Sequence, residues 1–140
     1  MPKIAVTDIY ETSRLALTKH GAAPWIADEV AKAVARAEAL GNIICGLYYL
    51  ESYCLQLTSG RVKGDVEPAV QVLRPGFIKS DARYGFAQPA FTRALPTALD
   101  AAKTNGTATL AVAHAHTCTS MGYFTEQIAE AGFIAIGFTN

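Results

Sequence analysis

A chain of 140 residues with 51% hydrophobic side chains is long enough for one domain with a proper core. Twelve basic against twelve acidic residues give a formal charge of zero, and no Lys/Arg cluster could neutralise a phosphate backbone, so nucleic acid is not an expected partner. The first residues lack the basic start and apolar stretch of a signal peptide, no apolar run approaches ~18 residues, and Cys45, Cys54 and Cys118 show no CxxC spacing; the expectation is a soluble cytoplasmic protein with free thiols, no disulfide framework and no membrane partner.

Taken in chain order, the first half reads as helical. Thr7 or Asp8 can cap a helix that runs to about Lys19, with Leu15 and Leu17 in its apolar part and Gly21 placed to stop it. Pro24 suits a first helical position, and Trp25, Ile26, Val30, Ala33, Val34 and Ala37 recur at near-helical spacing until Gly41-Asn42. After Ile43-Ile44-Cys45-Gly46, the residues Leu47, Leu50, Tyr53, Cys54 and Leu57 repeat in steps of three and four, which predicts a third helix ending near Ser59-Gly60.

The second half alternates. Residues 61–63 and 70–73 read as short extended pieces, Arg74-Pro75-Gly76 as a turn, and 77–81 as a strand. A helix is expected from Pro89 to Lys103, kinked or interrupted by Pro96 and closed by Asn105-Gly106. Strand 107–113, helix 121–131 and strand 133–139 then form a β-α-β unit with a parallel pair. The fold class is therefore α/β, with a helical N-terminal region over 1–64 and an α/β region over 65–140. The last strand, Phe133-Ile-Ala-Ile-Gly-Phe138, has the continuous apolar character of a strand buried on both faces. Ligand crevices in open α/β sheets lie beyond the carboxyl ends of the strands. With Asn140 directly after that strand, the chain reads as an N-terminal fragment or a shortened copy of a longer α/β protein.

Chemistry is expected to gather at 114–124, a span with two of the three histidines, one cysteine and several hydroxyls, where an apolar run passes through a polar loop into a helix. Backbone N–H groups from Thr119 to Gly122, at the start of that helix, suit an anion, and Gly122 allows close approach. If the strand continues through Cys118, then His114, His116 and Cys118 alternate onto one side, as zinc ligands could. The plainer alternative makes one histidine a satisfied core residue and the other a hydrogen-bonding loop residue. No carboxylate or second cluster accompanies these three, and no metal site is assigned.

The ordered set Gly46-Leu-Tyr-Tyr-Leu-Glu-Ser-Tyr53, Leu57-Thr-Ser-Gly60-Arg-Val, Asp81-Ala-Arg-Tyr-Gly85-Phe-Ala-Gln-Pro89, Met121-Gly-Tyr-Phe124 and Gly132-Phe-Ile-Ala-Ile-Gly-Phe-Thr-Asn140 resembles the malate/L-lactate dehydrogenase-like oxidoreductases, a non-Rossmann family. That family includes sulfolactate, ureidoglycolate and diketogulonate enzymes and reductases of pyrroline- and piperideine-2-carboxylate. The Gly-Phe-Ala-Gln-Pro element is most similar to the imino-acid reductase branch. The resemblance implies a three-layer α/β/α mixed sheet, of which 65–140 is an incomplete part of the cofactor-binding domain. It also implies a homodimer and NADPH- or NADH-dependent reduction of a 2-oxo acid or cyclic imino acid, a small carboxylate substrate.

Carried over residue by residue, Cys45 stands where the family has an acid/base histidine before the third helix, and Tyr49 where it often has a carboxylate-binding arginine. An unperturbed thiol is mostly protonated at neutral pH, and a neutral phenol cannot form the fork of a guanidinium. Cys45 reads equally as a small buried hydrophobe at a helix start, and Tyr48, Tyr49 and Tyr53 as packing residues. His116 matches one histidine of the family's double-histidine loop, while Thr117 replaces the other. The expected catalytic set is Cys45, Tyr49 and His116, with His114, Thr117, Thr119, Ser120, Gly122 and Tyr123 holding NADP or NAD. Two other functions fit the sequence: a catalytically inactive shortened module that self-associates, and a small His/Cys metal-binding protein.

Overall fold

The structure, a computed structural model, describes residues 3–139. The chain divides into two compact units between Asp65 and Val66. In the first, three helices pack together: α1 (Val6–Lys19), α2 (Pro24–Ala39) and α3 (Leu47–Thr58). Pro24 opens α2 without loss, because the first turn has no carbonyl for its missing N–H. Val30, Ala31, Val34 and Ala37 of α2 are buried at the three- and four-residue steps of one helical face. Helix α1 begins one residue before the expected cap. Its N-cap is Ala5, with no side-chain cap bond, so neither Thr7 nor Asp8 serves.

Between α2 and α3 the chain makes a 3-10 turn, Ile43–Cys45, and reaches α3 through Gly46. The Leu47 N–H donates to Glu38 Oε1 at 2.7 Å. A Cβ on Gly46 would lie 2.3 Å from that same oxygen, so the carboxylate can sit over the start of α3 only because residue 46 has no side chain. Residues 61–63, expected to be extended, form no strand; 61–62 are a bend, with the Val62 N–H bonded to the Gln56 carbonyl.

The second unit holds a three-stranded sheet in the order β1-β2-β3, from β1 (Ala69–Arg74), β2 (Phe77–Asp81) and β3 (Thr109–Ala113). β1 pairs antiparallel with β2 across the Pro75-Gly76 turn, with a register shift between Val72 and Arg74. β2 pairs parallel with β3, from Phe77 opposite Thr109 to Asp81 opposite Ala113. Helix α4 (Ala87–Asn105) connects the parallel strands, so a β-α-β unit is present, built from β2, α4 and β3. Pro96 does not interrupt α4, which starts at Ala87 and ends in the left-handed cap Gly106. Ile78, Ala94 and Ala98 are buried together between sheet and helix, with Val70, Ala101, Ala108 and Leu110 against them. Ser80, buried in β2, donates its hydroxyl to the Ala90 carbonyl at 2.7 Å and so satisfies itself on α4.

Helix α5 (Met121–Glu130) packs on α4 through Phe91 and Phe124, whose rings meet edge-on at 4.9 Å. The expected strand 133–139 does not form. The segment has no regular secondary structure, and among the described residues it makes no ladder with β3, whose outer edge is unpaired. An apolar run favours a strand only when a neighbouring backbone accepts its hydrogen bonds. Here the segment lies against α5 instead, where a Cβ on Gly137 would stand 2.4 Å from Met121 Cε. Ile134, Ile136 and Phe138 remain exposed as a result. Among the described residues, no helix is long and apolar enough to cross a membrane.

The sheet-helix core gives a direct test. Ile78→Ala removes a fully buried side chain from the central strand and is expected to cost about 2–5 kcal/mol in urea unfolding monitored by circular dichroism. A loss below about 1 kcal/mol would mean that β2 is not the centre of a packed unit.

Candidate active site

The parallel register fixes what stands at the carboxyl ends of β2 and β3. Asp81 ends β2 opposite Ala113, so His114 is the first residue beyond the ladder on the neighbouring strand. His114 Nδ1 donates to Asp81 Oδ2 at 2.9 Å, since an ionised carboxylate can only accept. The other carboxylate oxygen, Oδ1, accepts the Arg83 backbone N–H at 2.8 Å. That N–H, with the His114 contact after it, holds the Asp81 carboxyl below its ordinary range. The Tyr84 ring lies 5.5 Å from the His114 ring at a 32° tilt, and the Tyr84 N–H donates to the His114 carbonyl at 2.7 Å.

Arg83, Tyr84 and His114 all have positive φ, at 51°, 67° and 48°. Each such residue costs about 1–2 kcal/mol relative to a right-handed conformation. This strain collects at one point, where the ends of two parallel strands are tied to each other.

His116 is held differently. Its N–H donates to the Gly85 carbonyl at 2.8 Å, it forms a parallel bridge with Phe86, and its ring meets the buried Phe86 ring edge-on at 5.9 Å. Its Nε2 is hidden from solvent, whereas His114 is half exposed. The alternation needed to bring His114, His116 and Cys118 together as metal ligands breaks at His114, where the strand ends in a left-handed residue. Cys118 turns to Met121 Sδ and Thr139 Oγ1, each 3.6 Å from its sulfur. Among the described residues no three His, Cys, Asp or Glu side chains converge on a point where a metal could sit.

A groove of about 1060 Å³ runs beside this strand end. His114, His116, Thr117, Cys118, Phe124 and Ile136 are on its wall, which among the described residues includes no Lys or Arg. Thr119, Ser120, Gly122 and Tyr123 are not on that wall; they form the turn into α5 beside it. In that turn the Thr119 N–H is already bonded to Thr117 Oγ1 at 3.3 Å, and Thr119 has φ 54°. Donors for an anion are therefore the Met121 and Gly122 N–H groups, which belong to the first helical turn and have no helical carbonyl to reach. Tyr123 packs with Phe124 and the α4–α5 core.

Cys45 and Tyr49 are in the first unit. Cys45 is half-buried at the end of the 3-10 turn, and Tyr49 is half-buried among Tyr48 and Tyr53. Cys54 is the buried thiol of that unit, and burial pushes its pKa up, away from the reactive thiolate. Sequence reasoning missed Asp81, Arg83 and Tyr84 as site residues. The signal for them is the register of β2 on β3, which no local pattern contains.

The malate/L-lactate dehydrogenase family profile matches residues 4–140. The chain belongs to that family. It is 31% identical over 137 residues to a Delta(1)-pyrroline-2-carboxylate/Delta(1)-piperideine-2-carboxylate reductase of Pseudomonas syringae pv. tomato, covering 98% of this chain and 40% of that protein. A (2R)-3-sulfolactate dehydrogenase (NADP(+)) of Chromohalobacter salexigens is 34% identical over 125 residues, covering 89% and 37%. The crystal structure of the delta1-piperideine-2-carboxylate reductase from P. syringae pv. tomato superposes with a TM-score of 0.90 at 30% identity, over 94% of this chain and 40% of that one. The chain thus spans about 40% of the length of these relatives.

The strand-end geometry predicts a titration. Asp81 has a lowered pKa in the folded state, so the stability it contributes is present above the ordinary carboxylate pKa of about 3.9 and is lost as pH falls through the folded value. Carboxyl ¹³C NMR should give Asp81 a midpoint below that of the unfolded chain, and Asp81→Asn should remove this component of acid unfolding. A midpoint at or above the unfolded value would contradict the Arg83 and His114 contacts.

Proposed function

We propose that this chain is part of a nicotinamide-dependent oxidoreductase that reduces a C=N or C=O bond next to a carboxylate, with a cyclic imino acid such as pyrroline- or piperideine-2-carboxylate preferred over a 2-oxo acid. The observation that carries this reading is the loop 114–120, at the end of a parallel strand and at the start of α5, in a chain of this family. The similarity to imino-acid reductases over nearly the whole chain supports the substrate class.

The residues fit a nicotinamide dinucleotide in chemistry. The groove offers apolar walls for a ring beside the imidazoles of His114 and His116 and the hydroxyl of Thr117. Thr119, Ser120, Gly122 and Tyr123 shape the adjoining turn, where the Met121 and Gly122 N–H groups suit a phosphate or carboxylate. When bound, the cofactor would supply the hydride, and the chain's task is to hold and orient both partners and to handle a proton. His116 on this loop is proposed as a substrate-side residue; Cys45 and Tyr49, in the first unit, are proposed for that role on the family resemblance alone. We place the activity in the cytoplasm, in keeping with three free thiols, and as a homodimer. Among the described residues no Lys or Arg lines the groove.

A second reading is favoured by one observation. Ile134, Ile136 and Phe138 are exposed along the segment 133–139, and β3 has a free edge, which suits a module that self-associates without turnover. Light scattering separates the two readings: a mass that rises with concentration, alongside no turnover of imine or oxo acid, favours the second.

The first reading predicts saturable binding of NADPH or NADH, read by nicotinamide fluorescence. Gly122→Val should weaken it on the order of tenfold, about 1.4 kcal/mol. The new Cβ would meet Ser120 Oγ at an ordinary 3.8 Å, so the loss would report a blocked ligand. No binding of either nucleotide by the wild-type chain would remove this reading.

A further inference from the structure

We infer that His114, oriented by Asp81, is the group that protonates the substrate in this chain. The inference rests on the reductase reading above and goes beyond it in naming the proton donor. The family position for that donor is held here by Cys45, a half-buried residue in the first unit. The second unit carries its own candidate, and its geometry is that of an acid/base pair.

The two imidazoles of the loop are built for different tasks. His116 is part of the wall, with its N–H on Gly85, its ring on Phe86 and its Nε2 hidden from solvent. His114 is half exposed, lines the groove, and has Nδ1 fixed on Asp81 Oδ2 at 2.9 Å. A carboxylate on Nδ1 sets the tautomer and leaves Nε2 as the nitrogen that exchanges a proton. Asp81 cannot swing away, because Oδ1 is held by the Arg83 N–H at 2.8 Å. The Tyr84 ring flanks the His114 ring, and the Tyr84 N–H grips the His114 carbonyl at 2.7 Å. Donor, orienting carboxylate and backbone clamps therefore come from the ends of two adjacent parallel strands, where α/β sheets place ligands.

A bound reduced nicotinamide dinucleotide would supply hydride to the carbon of the C=N or C=O group, where a C–H bond forms. The π pair moves to the nitrogen or oxygen and takes the proton from His114 Nε2, whose N–H bond breaks. The nucleotide is oxidised, the substrate is reduced by two electrons, and His114 is left neutral with Nδ1–H still on Asp81. Its exposure lets water restore the proton. In this scheme His114 is the catalytic residue and Asp81 a positioning residue.

The test uses the 140-residue chain with NADPH and Δ1-piperideine-2-carboxylate. His114→Ala should lower kcat by about 10²–10⁴ and regain at least about tenfold on addition of free imidazole, which mimics the lost donor at an exposed site. Long-range ¹H–¹⁵N NMR should find neutral His114 protonated on Nδ1 in the wild type and redistributed toward Nε2 in Asp81→Asn, a change that a merely structural role for Asp81 would not produce. The inference is overturned if His114→Ala keeps kcat within about threefold, if imidazole restores nothing, or if neutral His114 carries its proton on Nε2. Wild-type chain that binds NADPH and turns over no imine or oxo acid overturns it while the binding reading stands. Wild-type chain that binds no nicotinamide nucleotide overturns both.

Discussion

The parallel pairing of β2 with β3 is the constraint on which the second unit depends. Five residues on each strand face one another from Phe77 and Thr109 to Asp81 and Ala113, and every feature of the strand end follows from that register. A slip by one residue would turn Ile78 out of the core, bring Lys79 into it, and separate Asp81 from His114. Ser80 adds a further lock, because its hydroxyl can satisfy the Ala90 carbonyl only when Ser80 faces α4. The same alternation that packs the helix on the sheet thus presents a carboxylate and an imidazole to each other at the sheet's end. Stability and site geometry are here one property of the ladder.

Local pattern was a good guide where a segment's own residues decide its structure. Periodic apolar residues and Gly or Pro punctuation marked all five helices to within a few residues, and β2 was read at its full length. Residues 133–139 departed from the reading because a strand is a relation between two backbones. Their apolar composition is compatible with a ladder, but in this chain they run along α5. The β-α-β unit was accordingly present one step earlier in the chain than composition suggested. Pro96 shows the converse: its lack of an N–H removes one bond from a 19-residue helix, and the packing of Ala90, Phe91, Ala94 and Ala98 holds the rest.

The site was legible as a region and not as an arrangement. The loop 114–124 could be singled out from its polar and aromatic residues, yet the partner of His114 lies 33 positions earlier in the sequence. Left-handed backbone at Arg83 and Tyr84 is equally silent in a one-dimensional reading, since these are not residues that advertise it. Of the donors expected at the start of α5, Thr119 spends its N–H on Thr117, a local Ser/Thr-type contact that competes with a ligand for the same donor.

The carboxylate of Glu38 over the start of α3 has a bearing on where this protein can receive charged molecules. A helix start attracts negative charge, and α3 meets that attraction from within, through a side chain that the absence of a Cβ at Gly46 admits. The position is self-filled: an incoming phosphate or carboxylate would have to displace an anion tethered to the same polypeptide, at an effective concentration no free metabolite reaches. Helix α5, whose cap Ser120 makes no such bond, carries no resident of its own. The chain therefore seals the start of α3 from within, and a single glycine makes that possible.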